Sequence, residues 1–166
     1  MDKIEELLKN PQTDLQKQAL TDKSYKKTPN NQDCKINFEL ATYGDAILKC
    51  ALCKIYFERE NKDNFGFKGK LTEWKKQYES DEVLVRVVAK HYNLLDFLKY
   101  DKEGNGKPEE QKPQDYEHKG QNDNDKHKYI ATAMEACIAA VYLENGENEV
   151  IEIVKQWIQW IDESKS

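Results

Sequence analysis

The stretch Tyr129–Leu143, "YIATAMEACIAAVYL", decides how the rest of the chain is read. Its apolar residues run nearly all the way round a helical wheel, so it reads as a helix inside the protein rather than on its surface. One charge, Glu135, stands in its middle. A carboxylate there must pair, take up a proton or hold a cation, because burying it alone is expensive. A second stretch, "FELATYGDAILKCALCKIYF" from Phe38 to Phe57, poses the same problem. It too is apolar around most of its circumference, and between Leu40 and Ala51 its charges are Asp45 and Lys49. Lys49 is long enough to snorkel outward; Asp45 is not.

Four arrangements would satisfy these acids. Asp45 could cap a helix beginning at Ala46, with Gly44 as the break before it. Each acid could sit in a structural ion pair. Either could be protonated. Or Asp45 and Glu135 could share one divalent cation. Periodicity alone favours the first two. Yet two carboxylates about 4 Å apart repel by about 4 kcal/mol at an effective dielectric near 20, so helices that bring them together need something positive between. Magnesium suits that role, since it takes one or two protein carboxylates and leaves its other positions to water and phosphate.

Outward from these helices the pattern stays helical, with no convincing alternating strand. "DKIEELLK" predicts a short first helix ended by Pro11, and "DLQKQALTDKSY" a second, with Leu15 and Ala19 on one face. "GKLTEWKKQYES" places Leu71, Trp74 and Tyr78 together. Ser80 caps "DEVLVRVVAKHYNLL", whose acidic first turn suits the helix dipole, with Leu84, Val87, Val88 and His91 along one side. From Lys102 to Lys128 glycine, proline, amides and charges predominate, which predicts a long polar surface loop. "NGENEVIEIVKQWIQWI" closes the chain as an amphipathic helix with Val150, Val154, Trp157 and Ile161 inward. The expectation is one all-α domain over residues 1–166, its core spanning about 15–160.

The 166 residues suit one domain with a genuine core. The 38% hydrophobic and 34% charged residues describe a polar globular chain with no run long enough to span a membrane. The acidic, amphipathic "MDKIEELLKN" resembles no signal or transit peptide, and a cytoplasmic protein is expected. A net charge of −5 excludes a generic nucleic-acid glue but not a local basic groove. Cys50 and Cys53 form a lone C-x-x-C inside an apolar helix without a second zinc pair, and read as small buried side chains. His91, His118 and His127 follow no ligand pattern, and His118 and His127, in the most polar region, are expected to be exposed.

Four segments, in order, resemble the catalytic domain of ribonuclease III. "ALTDKSY" (Ala19–Tyr25) resembles that family's A-L-T-H-R-S-Y, and "NFELATYGDAIL" its N-E-R-L-E-F-L-G-D-A-V-L helix. "GKLTEWKKQYESDEVLVRVVAKHYNLLDFL" resembles its G-E-L-T…V-S-x-x-x-L-A stretch, and "ATAMEACIAAVYLENG" its A-D-A-F-E-A-L-I-G-A-I-Y-L-D-G-G. The resemblance implies an all-helical endonuclease domain that homodimerises and cuts double-stranded or structured RNA with Mg²⁺, Mn²⁺ being a possible substitute. It maps the metal-binding, catalytic acids onto Asp45 and Glu135. Two of the four usual acids are replaced, by Ala41 and Thr132, and the acid before the G-x-L-T segment by Lys68. Glu39 cannot stand in for the first, because a two-residue shift rotates it by about 200° on a helix. Thr42 replaces the aromatic that packs across the family's dimer.

Loss of two acids suggests a non-catalytic relative serving as an RNA-binding or dimerisation scaffold. The compact Mini-III type, which lacks a separate double-stranded-RNA-binding domain, offers the other reading. Its A-Y-x-G-D resembles "ATYGD" and its S-T-A-F-E-A resembles "ATAMEA", and it is understood to cut RNA with two acids. From its length, this chain is likewise expected to carry no separate RNA-binding domain. On the catalytic reading Asp45 and Glu135 bind metal, Thr132 holds a water on it, and Lys68, Lys70, Lys75 and Lys76 meet phosphates.

Overall fold

The computed structural model describes residues 1–59, 69–102 and 127–166. Most of the polar 102–128 stretch, with His118 and Lys68, lies outside the described residues. The described chain is helical: α1 (Lys3–Lys9), α2 (Asp14–Ala19), α3 (Phe38–Arg59), α4 (Lys70–Glu79), α5 (Asp81–Val83), α6 (Lys128–Asn145) and α7 (Glu147–Lys165). Its one β-type feature among those residues is an isolated parallel bridge between Thr21 and Lys99.

Helix α6 is the hub, and the residues of the opening stretch explain why. Ile130, Ala131, Ala133, Met134 and every residue from Ala136 to Val141 are buried. Such a helix must be covered on all sides, and α1, α2, α3, α5 and α7 all pack on it, α3 most extensively. The amphipathic α7 buries Val150, Val154, Trp157 and Ile161 as its pattern predicts. The turn between α6 and α7 is a single residue, Gly146, at φ +86°, a backbone conformation that favours glycine. The core reaches ahead of residue 15, to Ile4, Leu7 and Leu8 of α1.

Several elements depart from the sequence reading. The segment read as one helix from Asp14 to Tyr25 stops at Ala19 and resumes as a 3₁₀ turn, Lys23–Lys27, capped by the Asp22 side chain on the Ser24 N–H. The break lets residues 20–22 run beside 98–99, with Lys99 N–H donating to Leu20 O (2.8 Å) and Asp22 N–H to Lys99 O (2.9 Å). Ser80 does cap α5, accepting from Val83 N–H. Helix α5 then widens into a π-helical stretch, Leu84–Ala89. Bonding i→i+5 shifts the angular position of each later side chain. The inward set is therefore Leu84, Val85, Val88 and Ala89, with Val87 half-buried and His91 exposed, its ring stacked on Trp160 at 3.6 Å. His127, expected outside, is buried at the start of α6. Nor is α3 covered all round: Phe38, Tyr43 and Phe57 are exposed, as is Cys50, with Cys53 half-buried.

One buried polar chain fastens α7 to the N-terminus. Trp157 Nε1 donates to Tyr92 Oη at 3.0 Å, and Tyr92 Oη donates to Asp2 Oδ2 at 2.6 Å. Burial first, then the Asp2 hydrogen bond, pushes the Tyr92 phenol above its usual range, so it stays a donor. Tyr92→Phe would leave the Trp157 N–H buried without an acceptor. It is expected to cost about 1–3 kcal/mol, measured as a lower urea midpoint with an unchanged slope.

Candidate metal centre

The site grows from the place where α3 crosses α6. Gly44 lies at the contact: a β-carbon there would sit 1.8 Å from the Glu135 carbonyl oxygen and 3.3 Å from the Ala139 amide nitrogen. Only a residue without a side chain lets the backbones approach so closely. This contact brings the stretch that carries Asp45 against the turn that carries Glu135, although 90 positions separate the two acids. Helix α3 runs unbroken from Phe38 through Gly44 to Arg59, so Asp45 is not a helix cap. Close packing, not a break, is the reason for the glycine.

Asp45 is half-buried and its Oδ2 accepts from Lys49 Nζ at 2.6 Å, one turn along α3. That hydrogen bond is the main cause holding the Lys49 ammonium above its ordinary pKa, with the charges of Asp45, Glu79 and Glu135 adding to it. Glu135 is also half-buried, and its carboxylate makes no hydrogen bond or ion pair among the described residues. Its pKa is pushed up to about 7 by burial first, then by the charges of Asp45 and Asp81, against the pull of Lys49 and Lys128. The ion-pair arrangement therefore holds for Asp45 but not for Glu135, which is left with a neighbouring negative charge and partial protonation near neutrality.

The other expected residues are placed as follows. Thr132 lies one turn before Glu135 on α6; its Oγ1 donates to the Lys128 carbonyl at 2.9 Å, which leaves its lone pairs able to accept. Ala41 packs into the core, where an acid would be buried, and Glu39 is exposed. Lys70, at the start of α4, and Lys76 are exposed. Lys75 is instead half-buried and paired with Glu79 Oε2 at 3.1 Å, so it is committed to its own helix.

Four contributors to this electrostatic neighbourhood are not readable from the sequence as such: Lys49, Asp81, Glu79 and Lys128. Its length lets Lys49 reach outward, although its i+4 spacing from Asp45 is a visible signal of pairing. Asp81 reads as a dipole-favoured first-turn acid, and Glu79 carries no signal of its own. Only the packing of α4 and α5 brings their charges to bear on α3 and α6.

No group of three or more His, Cys, Asp or Glu side chains among the described residues could hold a metal ion by itself. A cation here would have two protein carboxylates and take its remaining ligands from water and phosphate, the donor set Mg²⁺ accepts. The like charges, the absence of an ion pair at Glu135 and the all-oxygen donors fit that ion.

Fold and site together define an all-helical domain with a carboxylate pair at its central helix crossing. The chain belongs to the ribonuclease-III-like family, whose profile matches residues 12–160. It is similar to the nuclease domain of ribonuclease III from Campylobacter jejuni, in a structure describing flexibility in the region involved in that domain's dimer formation. The TM-score is 0.66 and the identity 25%, over 94% of each chain. A second structure of that nuclease domain superposes with a TM-score of 0.57 at 24% identity, over 97% of this chain and 92% of the other, and supports the fold. No described helix is long and apolar enough to cross a membrane.

Proposed function

We propose that this protein is a Mg²⁺-dependent endoribonuclease acting on double-stranded or structured RNA, with Asp45 and Glu135 holding the metal. The carrying observation is Glu135: half-buried, without an ion pair among the described residues, its pKa pushed up to about 7 and set against Asp45 at the Gly44 crossing. Bound there, Mg²⁺ would polarise the scissile phosphate and supply hydroxide near neutral pH. The chain's own residues position and neutralise. Thr132, its proton committed to the Lys128 carbonyl, would accept a hydrogen bond from a water on the metal. Lys70 and Lys76, both exposed on α4, would meet phosphates, and binding should weaken steeply with salt. With two protein ligands the metal binds weakly, so activity should require high Mg²⁺.

The exposed Phe38, Tyr43 and Phe57 on α3 and Leu143 at the end of α6 support assembly of two copies through that face. Tyr43 is braced edge-on by Tyr142, which keeps it presented. Sedimentation of the Phe38→Lys, Tyr43→Lys double variant should show monomer where the wild type shows dimer.

A second reading, a non-catalytic scaffold that binds RNA, draws on the Lys49–Asp45 ion pair, since a resident ammonium already occupies one acid. Long duplex RNA incubated across a Mg²⁺ series separates the two. Cleavage by the wild type, abolished in Asp45→Asn and in Glu135→Gln, is the expected result; intact RNA at every Mg²⁺ concentration leaves the scaffold.

Lys49 has a further consequence on the catalytic reading. The metal must displace its ammonium from Asp45, so Lys49→Met is expected to bind Mn²⁺ or Mg²⁺ about 2- to 5-fold more tightly by calorimetry, the effect of removing one partly exposed competing charge. Unchanged affinity would mean that Lys49 and the metal do not compete.

A further inference from the structure

Away from the helix crossing, the buried seam between residues 20–24 and 98–101 holds two aspartates. Asp22 is 3% exposed and Asp101 is 4% exposed. The Ser24 hydroxyl ties them together, donating to Asp22 Oδ1 and accepting from the Asp101 backbone N–H at 3.1 Å. The backbone of this seam is well satisfied, through Asp22 N–H on Lys99 O, Lys99 N–H on Leu20 O and Asn37 N–H on Thr21 O. The exception is the Asp101 side chain. Both of its carboxylate oxygens are buried, and neither has a hydrogen-bond partner among the described residues. The adjacent lysine does not supply one: the Lys102 ammonium lies over the Tyr100 ring, 5.7 Å from its centre.

A carboxylate this deep without a partner is among the most costly groups a protein can hold, and folds keep one where a ligand meets it. Protonation alone would not satisfy it, since an unpartnered O–H and carbonyl would replace two unpartnered oxygens. A cation would. The donors here are carboxylate and hydroxyl oxygens, with no thiolate or imidazole among them, which selects a hard ion. We propose that Asp22, Ser24 and Asp101 form a second cation site, for a divalent ion of the Ca²⁺ or Mg²⁺ class, built from none of the residues of α3 or α6. Held there, the ion bridges the two segments of the seam and stabilises the junction between the first helices and the end of the α5 region.

The test is the thermal response of the full-length protein to CaCl₂ and MgCl₂, titrated in parallel, in wild type, Asp101→Asn, Asp22→Asn and the Asp45→Asn, Glu135→Gln double variant. At saturating ion the wild type and the double variant should both melt about 5 °C or more higher. Asp101→Asn should lose that response while melting no lower than the metal-free wild type, because it removes an uncompensated buried charge. The ion giving the larger shift at equal concentration identifies the preferred one. A response retained in Asp101→Asn but lost in the double variant would place all binding at Asp45 and Glu135 and overturn this site, leaving the proposed nuclease intact. The absence of any response in the double variant would overturn it equally. Loss of RNA cleavage with the Asp101-dependent shift preserved would strike the nuclease reading instead.

Discussion

Replacing Gly44 by alanine is expected to destabilise the protein by about 3 kcal/mol, the upper end for overpacking, and to lower its melting temperature by roughly 10 °C. On an isolated helix the same change would stabilise, since alanine is favoured over glycine by about 1 kcal/mol. The crossing reverses that sign. The added methyl would lie 1.8 Å from the Glu135 carbonyl oxygen. A flexible side chain could swing aside, but that oxygen belongs to the backbone of α6, which is packed against helices on every side. The two helices must separate, and Asp45 must separate from Glu135. Divalent-ion affinity should therefore fall together with stability, by at least about tenfold for a misplaced ligand pair. Calorimetric melting and Mn²⁺ titration on one sample check both. A melting temperature equal to or above that of the wild type would show that the helices do not meet at Gly44, and the metal centre would fall with that contact.

Glu135→Gln should act in the opposite direction. In the metal-free protein the Glu135 pKa is pushed from an ordinary 4.5 up to about 7, by burial first and by Asp45 next. Because the folded value is raised, the stability this group contributes is fully present below about pH 4.5 and is lost as pH rises through 7. Above that point the ionised side chain costs on the order of 2–3 kcal/mol, which glutamine does not incur. At pH 8 the variant should melt several degrees above the wild type, and at pH 4 the two should coincide. Divalent ion should raise the wild-type melting temperature at pH 8 by more than it raises that of the variant, which keeps only the Asp22–Asp101 response, and so close most of the gap. A site that gives up stability for function behaves in this way. A variant less stable than wild type at pH 8 would mean that Glu135 is satisfied by a partner and does not await a cation.

Much of the fold was legible because hydrophobic period and helix punctuation are local. Apolar residues all round Tyr129–Leu143 could only mean a central helix, and the inward positions of α7 followed from their spacing. The departures came where long-range contact overrode local preference. A periodic reading assumes a uniform helix, so the π-helical widening at Leu84–Ala89 moved His91 off the inward face. Composition marked His127 as exposed, yet the start of a central helix must enter the core, and it carried the histidine with it. Cys50 was assigned to the interior by the apolar company it keeps along α3, and the outer face of that helix turned out to be uncovered.

The sequence by itself determined an all-α domain, its central helix and the two acids that such helices do not carry idly. Whether those acids meet was beyond it, since spacing along a chain says nothing of distance between helices 90 residues apart. The tertiary structure brings those two helices into backbone contact at Gly44. A missing side chain, unremarkable in a helical pattern, sets how near two backbones lie. The same packing matched Asp45 with Lys49 and left Glu135 without an ion pair among the described residues, because the energy of a half-buried carboxylate depends on every charge the folded chain gathers around it.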